Sequence, residues 1–373
     1  MGNGAGKELP TTMRRVVLTQ PNEDITKAVL TIEEVPMPVP KAGEVLIRVA
    51  ATPVNPSDYG EWCHTAPQDG VKPIGKEGSG YVVASGGGVY ANQVVGCKVG
   101  FVTNVKGQGS YAEYTVVDAI KGVFPLPETV KVEDAASHFV NPYTAYGFID
   151  TVRLRHKSKK HKPAFVHTAA ASQLGQMLVK LCKQEDITLI NIVRREEQAE
   201  TLRALGAEHI IVSSKDDWKT ELDTLIKAHG VELAFDAIAG EMSGVLFDAL
   251  PWKGSLFVYG RLSNEGCSGI QPLNLIYRQK KLEGFYLGSW LQSGDPVTML
   301  MRIRNATACV HAGLTSSSGW AASQFDDCSI DEMWPKFLDM WKESGFTNRK
   351  LRICFPENVT TATQDSGEDT RTC

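Results

Sequence analysis

The stretch AFVHTAAASQLGQMLVKLCK, residues 164–183, runs an apolar strand into a turn of tiny residues and then into a helix whose Leu174, Leu178 and Leu181 share a face. Such a turn lets backbone N–H groups approach an anion at a helix N-terminus. A G-x-G-x-x-G run is not present: Ala169, Ala171 and Gly175 hold the comparable positions, with Ser172, Gln173 and Leu174 before the glycine. Alanine serves there while φ stays negative, and Gly175 permits close packing of helix on strand. On its own the turn has a second reading, in which small residues merely let a helix cross a strand. A following apolar strand, LINIV, ends after Val193 in Arg194 and Arg195, near the place where a dinucleotide fold reads its adenosine ribose. A carboxylate there suits a 2′-hydroxyl, whereas cationic side chains suit a 2′-phosphate, so the pair favours NADPH. The alternative is surface charge opening a helix with Glu196 and Glu197.

The elements that must position these residues fall into two regions. Between Arg14 and about Phe124 the chain reads as short β-branched runs punctuated by Pro and Gly, which is a mainly β domain in the form of a partly closed barrel. From Ala164 the rhythm becomes strand, helix, strand, the pattern of βαβ units in a parallel sheet. Strands are expected at Ala164 to His167, Leu189 to Val193, His209 to Val212, Leu233 to Asp236 and Ser255 to Tyr259. Helices are expected near Gln173 to Lys183, Glu196 to Leu205, Asp217 to Ala228 and Ser243 to Leu250, with two more across Pro296 to Ala312 and Ile330 to Glu343. A closing strand, Lys350 to Phe355, pairs most economically with the N-terminal β domain. The polar stretches 1–12 and 357–373 are expected to be disordered.

The 373 residues suffice for about two domains of roughly 150 residues each. Thirty-nine Lys and Arg against 43 Asp and Glu leave a net charge of -4, so no global basic field points to nucleic acid or an anionic membrane, and a small-molecule substrate is the leading expectation. The densest basic run, Arg153 to Lys162, has no interleaved aromatics and reads as a solvated connection rather than a nucleic-acid groove. Eight scattered cysteines without a C-x-x-C pair read as mostly reduced thiols, and no apolar stretch or leader suggests a membrane span or secretion; a cytoplasmic protein is expected.

Taken in order, several motifs resemble the zinc-independent medium-chain dehydrogenase/reductase family, in the branch of quinone oxidoreductases and 2-enoyl thioester reductases. They are Val54-Asn55-Pro56-Ser57-Asp58, Gly75-Lys76-Glu77-Gly78-Ser79-Gly80, Gly109-Ser110-Tyr111-Ala112-Glu113-Tyr114 and Asn141-Pro142-Tyr143-Thr144-Ala145-Tyr146, then the turn from Ala171, Val193-Arg194-Arg195 and Leu205-Gly206-Ala207. The resemblance covers nearly all of the chain between its tails. It implies an α/β protein with a GroES-like domain from 13–145 and 288–356 and a Rossmann doubly wound domain at 146–287, joined at a cleft where nicotinamide meets substrate. It implies cofactor contacts at Asn141, Thr144, Ser172, Gln173, Leu174, Val193, Arg194, Arg195, Tyr259, Gly260, Phe285, Tyr286, Leu287 and Lys350, substrate contacts at Asn55 and Asp58, and a homodimer. Zinc is not expected: catalytic zinc needs about three convergent ligands, and this chain has Asn55 where zinc-containing relatives carry a cysteine, Lys76 where they carry a histidine, and no four-cysteine lobe.

The chemistry that fits NADPH without a metal is conjugate hydride addition to an activated C=C bond of an enoyl thioester, enone or alkenal, with the enolate oxygen stabilised by the protein and a proton delivered to the α-carbon. Thioester reductases place a proton-donating tyrosine where this chain has Ala66. Tyr59, Trp62 and His64 are the nearest groups able to replace it. An NADPH:quinone oxidoreductase, which needs no α-carbon donor, is the alternative, and a non-enzymatic NADPH-binding protein is the third reading.

Overall fold

The computed structural model describes residues 9–64, 70–103, 107–157, 160–342 and 349–356. These residues form two compact units, one drawn from the chain up to Phe139 and from Ala322 onward, the other from Val140–Ala321.

The first unit is built around Glu44–Pro53, a strand buried along almost its whole length because it pairs on both edges. Its sheet runs Phe325–Cys328, Lys350–Cys354, Glu44–Pro53, Glu77–Ser85, Lys98–Val102, Val123–Pro125, with Tyr114–Asp118 also pairing Glu44–Pro53. A three-stranded sheet of Val29–Pro36, Thr12–Gln20 and Lys72–Pro73 completes the β framework. The closing strand pairs back as expected: Ile353 lies opposite Thr52 and Cys354 opposite Ala51, antiparallel. The helices Pro56–His64 and Met333–Lys342 bury Trp62, Met333 and Phe337 in the core of this unit.

In the second unit six parallel strands lie in the order His209–Val212, Thr188–Val193, Ala164–His167, Leu233–Asp236, Ser255–Val258, Lys281–Gly284. The order reverses beside the first strand in sequence, which is where a doubly wound sheet opens its ligand crevice. One sheet face carries Phe165, His167, Phe235 and Phe257, with Phe148 stacked on Phe235 at 3.9 Å between ring centroids. The other carries Val166, Ile190, Ile192 and Leu256 against the helices Trp218–His229 and Glu241–Ala249.

Two features differ from the sequence expectation. Residues 288–321 belong to the second unit, not to the β domain, and the first boundary falls at Val140 rather than 146. A helix unmarked by periodicity, Val140–Arg155, decides both: it is buried on several sides, so it shows no single apolar stripe. The helix Pro296–Thr315 docks on it through Tyr143 and Thr307, whose hydroxyls are 2.7 Å apart, and Trp290 Nε1 donates to Asp150 at 3.0 Å. The sixth strand, Lys281–Gly284, was also unmarked, because this edge strand is largely exposed and tolerates KLEG. Of the expected terminal disorder, 1–8 and 357–373 lie outside the described residues, while Thr12 already begins a strand.

Candidate active site

In the second unit the tiny-residue turn leaves the strand Ala164–His167 and enters the helix Gln173–Gln184, with Ser172 as its cap: Ser172 Oγ accepts from Gly175 N at 3.2 Å. A Cβ on Gly175 would sit 2.0 Å from Ala170 O, so only glycine lets the first helical turn press on the turn backbone. Ala170 N donates to Ile192 O at 3.2 Å, tying this turn to the strand that ends at Arg194. Ala169 corrects the expectation of negative φ: it adopts φ +50°, a left-handed conformation that strains a side-chain-bearing residue by about 1–2 kcal/mol.

That strain is held by a latch the sequence reading missed. Asp236, fully buried at the end of Leu233–Asp236, accepts from Thr168 Oγ1 at 2.8 Å, Ser243 Oγ at 2.7 Å, and the N–H groups of Ile238 and Ala239 at 2.9 and 3.2 Å. Thr168 Oγ1 in turn accepts from Ala237 N at 2.8 Å. An apolar strand closing on Asp was the signal, but its partners lie on other loops.

Arg194 and Arg195 are exposed, and Gln198 Oε1 accepts from both backbone N–H groups at 3.0 and 3.1 Å, which shapes the bend. Glu196, the carboxylate beside them, is instead paired with Arg203 at 2.7 Å and Lys215 at 3.2 Å, which hold it below its ordinary range. Among the described residues, no ion pair engages either guanidinium of the Arg194–Arg195 bend. The basic run behaves differently: Arg153 pairs with Glu185, Arg155 grips Glu283 at 2.5 and 2.9 Å, and Lys162 meets Asp186 at 2.5 Å.

Four further candidates come together. Tyr259, Gly260, Phe285 and Tyr286 line one cavity of about 480 Å³ with Val258, Arg261, Gly284 and Ser289. Leu287 opens the next helix, Leu287–Gln292, and does not line it. Leu174 and Val193 are buried, anchoring the turn and the bend. Thr144 Oγ1 donates to Val140 O at 2.6 Å within its own helix, while Asn141 on that first turn is half-buried.

The candidates of the first unit form a buried polar network. Asn55 Nδ2 donates to Glu77 Oε1 at 2.8 Å, Phe139 N donates to Glu77 Oε2 at 2.8 Å, and Lys350 Nζ donates to Asn55 Oδ1 at 2.6 Å and Ser137 Oγ at 3.2 Å. Asp58 Oδ2 accepts from Asn55 N and from Tyr111 OH, both at 2.9 Å. Burial lowers the Lys350 ammonium from its ordinary value and pushes Asp58 up to about 6. Asn55 and Asp58, expected to touch substrate, are 1% and 2% exposed, and both are engaged with their own framework. Lys350 likewise sits inside this network at 6% exposure.

Trp62 is corrected as well. It is fully buried, edge-on to Tyr59, Tyr111, Trp334 and Phe337, and an indole N–H has no acid function in water. Tyr59 is half-buried between Trp62, Phe337 and Trp341, and burial raises its hydroxyl well above the ordinary range. His64 closes the same helix, exposed; Ala66 lies outside the described residues. A larger cavity of this unit, about 580 Å³ around Arg48, Tyr81, Asp327, Cys328 and Cys354, is lined by none of the candidates. Among the described residues no group of three His, Cys, Asp or Glu is placed to hold a metal ion.

Family models match both units: the alcohol dehydrogenase GroES-like domain over residues 41–128 and the zinc-binding dehydrogenase domain over 174–303. The chain is 31% identical over 300 residues to prostaglandin reductase-3 of Mus musculus, covering 76% of this chain and 75% of the relative. It belongs to the medium-chain dehydrogenase/reductase family, in the zinc-independent branch. Another member, the mitochondrial enoyl-[acyl-carrier-protein] reductase of Caenorhabditis elegans, is 28% identical over 265 residues, 67% of this chain and 71% of that one. A solved structure from Mesorhizobium loti, assigned as an NADPH:quinone reductase, superposes with a TM-score of 0.81 at 29% identity, covering 93% of this chain and 99% of that one. Within this family fold the Ser172 turn and the Arg194–Arg195 bend occupy adjoining strand ends of one sheet, and the cavity at Tyr259 lies beyond the Asp236 latch.

Proposed function

We propose that this chain is an NADPH-dependent, zinc-independent reductase that transfers hydride to an activated C=C bond of an enoyl thioester, enone or alkenal. The observation that carries this reading is the pairing of an anion-receptive turn with two guanidinium groups that no described carboxylate neutralises. The turn fits a diphosphate: Gly175 admits the close approach, Ser172 caps the helix, and the helix N-terminus favours negative charge. Arg194 and Arg195 would hold the 2′-phosphate, and Tyr259, Gly260, Phe285 and Tyr286 would line the path of the nicotinamide half. When bound, the reduced nicotinamide supplies the hydride. The relatives named above, a prostaglandin reductase, an enoyl reductase and a quinone reductase, support the same class.

Quinone reduction is the second reading, and a specific observation favours it. Of the groups expected to deliver a proton, Trp62 is sealed in the core and Tyr59 is packed among aromatic rings with a weakened acidity. A quinone accepts hydride without needing a carbon acid partner. A panel of crotonyl-CoA, an alkyl enone and a naphthoquinone, followed by loss of NADPH absorbance, separates the readings. Turnover of the first two is expected; saturable turnover of the quinone alone selects the second, and binding without turnover leaves a cofactor-binding protein. Replacing Arg194 and Arg195 by Ala is expected to raise the NADPH dissociation constant roughly ten- to a hundredfold, the worth of one or two charge-assisted contacts; unchanged affinity removes that assignment.

The assembly proposed is a homodimer. Lys281–Gly284 ends its sheet with no further strand among the described residues, and Leu273, Ile276, Tyr277 and Leu282 lie exposed around it. Light scattering that gives the mass of one chain at micromolar concentration overturns this. The compartment proposed is the cytoplasm, on the support of six free cysteines among the described residues. No helix there is long and apolar enough to cross a membrane.

A further inference from the structure

His167, the last residue of the strand Ala164–His167, meets the hydroxyl end of Tyr259: the rings are parallel within 13°, their centroids 5.8 Å apart, and Nε2 is 2.6 Å from the Tyr259 hydroxyl. His167 is fully buried against Phe148 on the aromatic face of the sheet, and that burial depresses its pKa to about 3. The ring is therefore neutral at any working pH. A neutral imidazole carries one N–H and one bare lone pair, and which nitrogen holds the proton is decided by the partners.

Here the partners are unequal. Nε2 faces the Tyr259 oxygen, whereas Nδ1 is buried with no protein partner. A proton on Nδ1 would bury an orphan N–H among aromatic rings. A proton on Nε2 buries only a lone pair, and orphan donors are the rarer and costlier of the two. With Nε2–H donating to the tyrosine oxygen, the phenolic hydrogen cannot point back at His167. It must point away from His167, and the side chain that carries it lines the cavity of about 480 Å³ with Gly260, Phe285 and Tyr286.

We propose that His167 is a positioning residue that fixes Tyr259 as an outward hydrogen-bond donor, aimed at an acceptor oxygen of the nicotinamide nucleotide, a ribose hydroxyl or the carboxamide carbonyl. This rests on the NADPH reading above. Burial keeps the Tyr259 hydroxyl well above its ordinary pKa, so it donates a hydrogen bond without losing its proton. The bond received from His167 polarises the phenol and strengthens the bond it gives.

The first test uses the unliganded full chain with 15N-labelled histidine, the His167 signals being assigned by their loss in His167→Gln. The nitrogen resonances are expected to show Nε2 protonated and Nδ1 bare; the reverse tautomer overturns the proposal whatever the ligand does. The second is calorimetry with NADPH. Tyr259→Phe is expected to weaken binding about two- to tenfold, the worth of one neutral hydrogen bond. His167→Leu should weaken it similarly, and His167→Gln, whose amide nitrogen can stand in for Nε2, should recover most of the loss. In the Tyr259→Phe background His167→Leu should add nothing further. Additive losses with no rescue by glutamine would mark His167 as a packing residue and overturn the inference. Wild-type protein that does not bind NADPH defeats the functional reading itself, whereas tight wild-type binding unchanged in Tyr259→Phe defeats this inference alone.

Discussion

In the first unit three ionisable groups, Asp58, Glu77 and Lys350, lie 2%, 1% and 6% exposed and are linked through Asn55 and Tyr111. In the second unit the charges of the bend, Arg194 and Arg195, stand on the surface, and the buried groups at the strand ends are a neutral histidine and one carboxylate satisfied by hydroxyl and N–H donors. A buried charge that loses its partner cannot be rescued by water, so damage in the first unit falls on stability. The exposed guanidinium groups of the bend make no ion pair among the described residues, so on the proposed function damage there is expected to fall on ligand affinity. One scaffold thus separates the buried polar network that holds its shape from the exposed bend proposed to hold an anion, and each half of that statement can be broken by experiment.

The largest effect is expected from Lys350→Met, which removes a buried cation bonded to Asn55 and Ser137 and electrostatically coupled to Glu77 and Asp58. Urea unfolding should show a loss of about 3–5 kcal/mol, and Glu77→Gln combined with Lys350→Met should cost less than the sum of the single changes. Additive losses would show that the two groups are not coupled.

Next comes a pair of opposed pH dependences. Asp58 has a folded pKa of about 6 against an ordinary 3.8, so the native chain keeps a proton that the unfolded chain releases. Its contribution is complete below about pH 4 and disappears as the pH rises through about 6, a change of about 3 kcal/mol. His167 runs the other way: its folded pKa of about 3 against an ordinary 6.5 means the unfolded chain takes up a proton first, so stability is lost as the pH falls from about 6.5 toward 3. Unfolding curves across this range should flatten on the acid-favouring limb in Asp58→Asn and on the opposite limb in His167→Gln. If neither substitution alters the profile, the burial assigned to these groups is wrong.

Gly175→Ala should follow in size, at about 1–3 kcal/mol of overpacking, because the new methyl meets Ala170 O at 2.0 Å. NADPH affinity should fall with it, since the same backbone forms the turn; lost stability with intact affinity would separate turn geometry from cofactor binding. The smallest change is expected from Ala169→Gly. Relief of the φ +50° strain, set against glycine's greater freedom when unfolded, leaves a gain of roughly half a kcal/mol in melting measurements.

What could be read without the fold was local. The turn after His167, the arginines after Val193 and the spacing of five parallel strands are each written within a dozen or so neighbouring residues, where periodicity and side-chain size suffice. The closing strand was legible too, since Lys350–Cys354 is apolar enough to need a sheet. The helix Val140–Arg155 was not, because burial on several sides erases the stripe that marks a surface helix, and the edge strand Lys281–Gly284 was not, because exposure erases its apolar face.

The residues themselves settled the small-residue turn that feeds a helix and the two kinds of sheet that frame it, because those depend on composition and short-range pattern. Only the tertiary structure decided that Lys350 meets Asn55 from 295 positions away, that Asp236 latches the strained turn, and that His167 meets the Tyr259 hydroxyl. Those are meetings of side chains from distant strands. A hydrogen bond needs its partners within about 3 Å, and that distance is set by packing rather than by order along the chain.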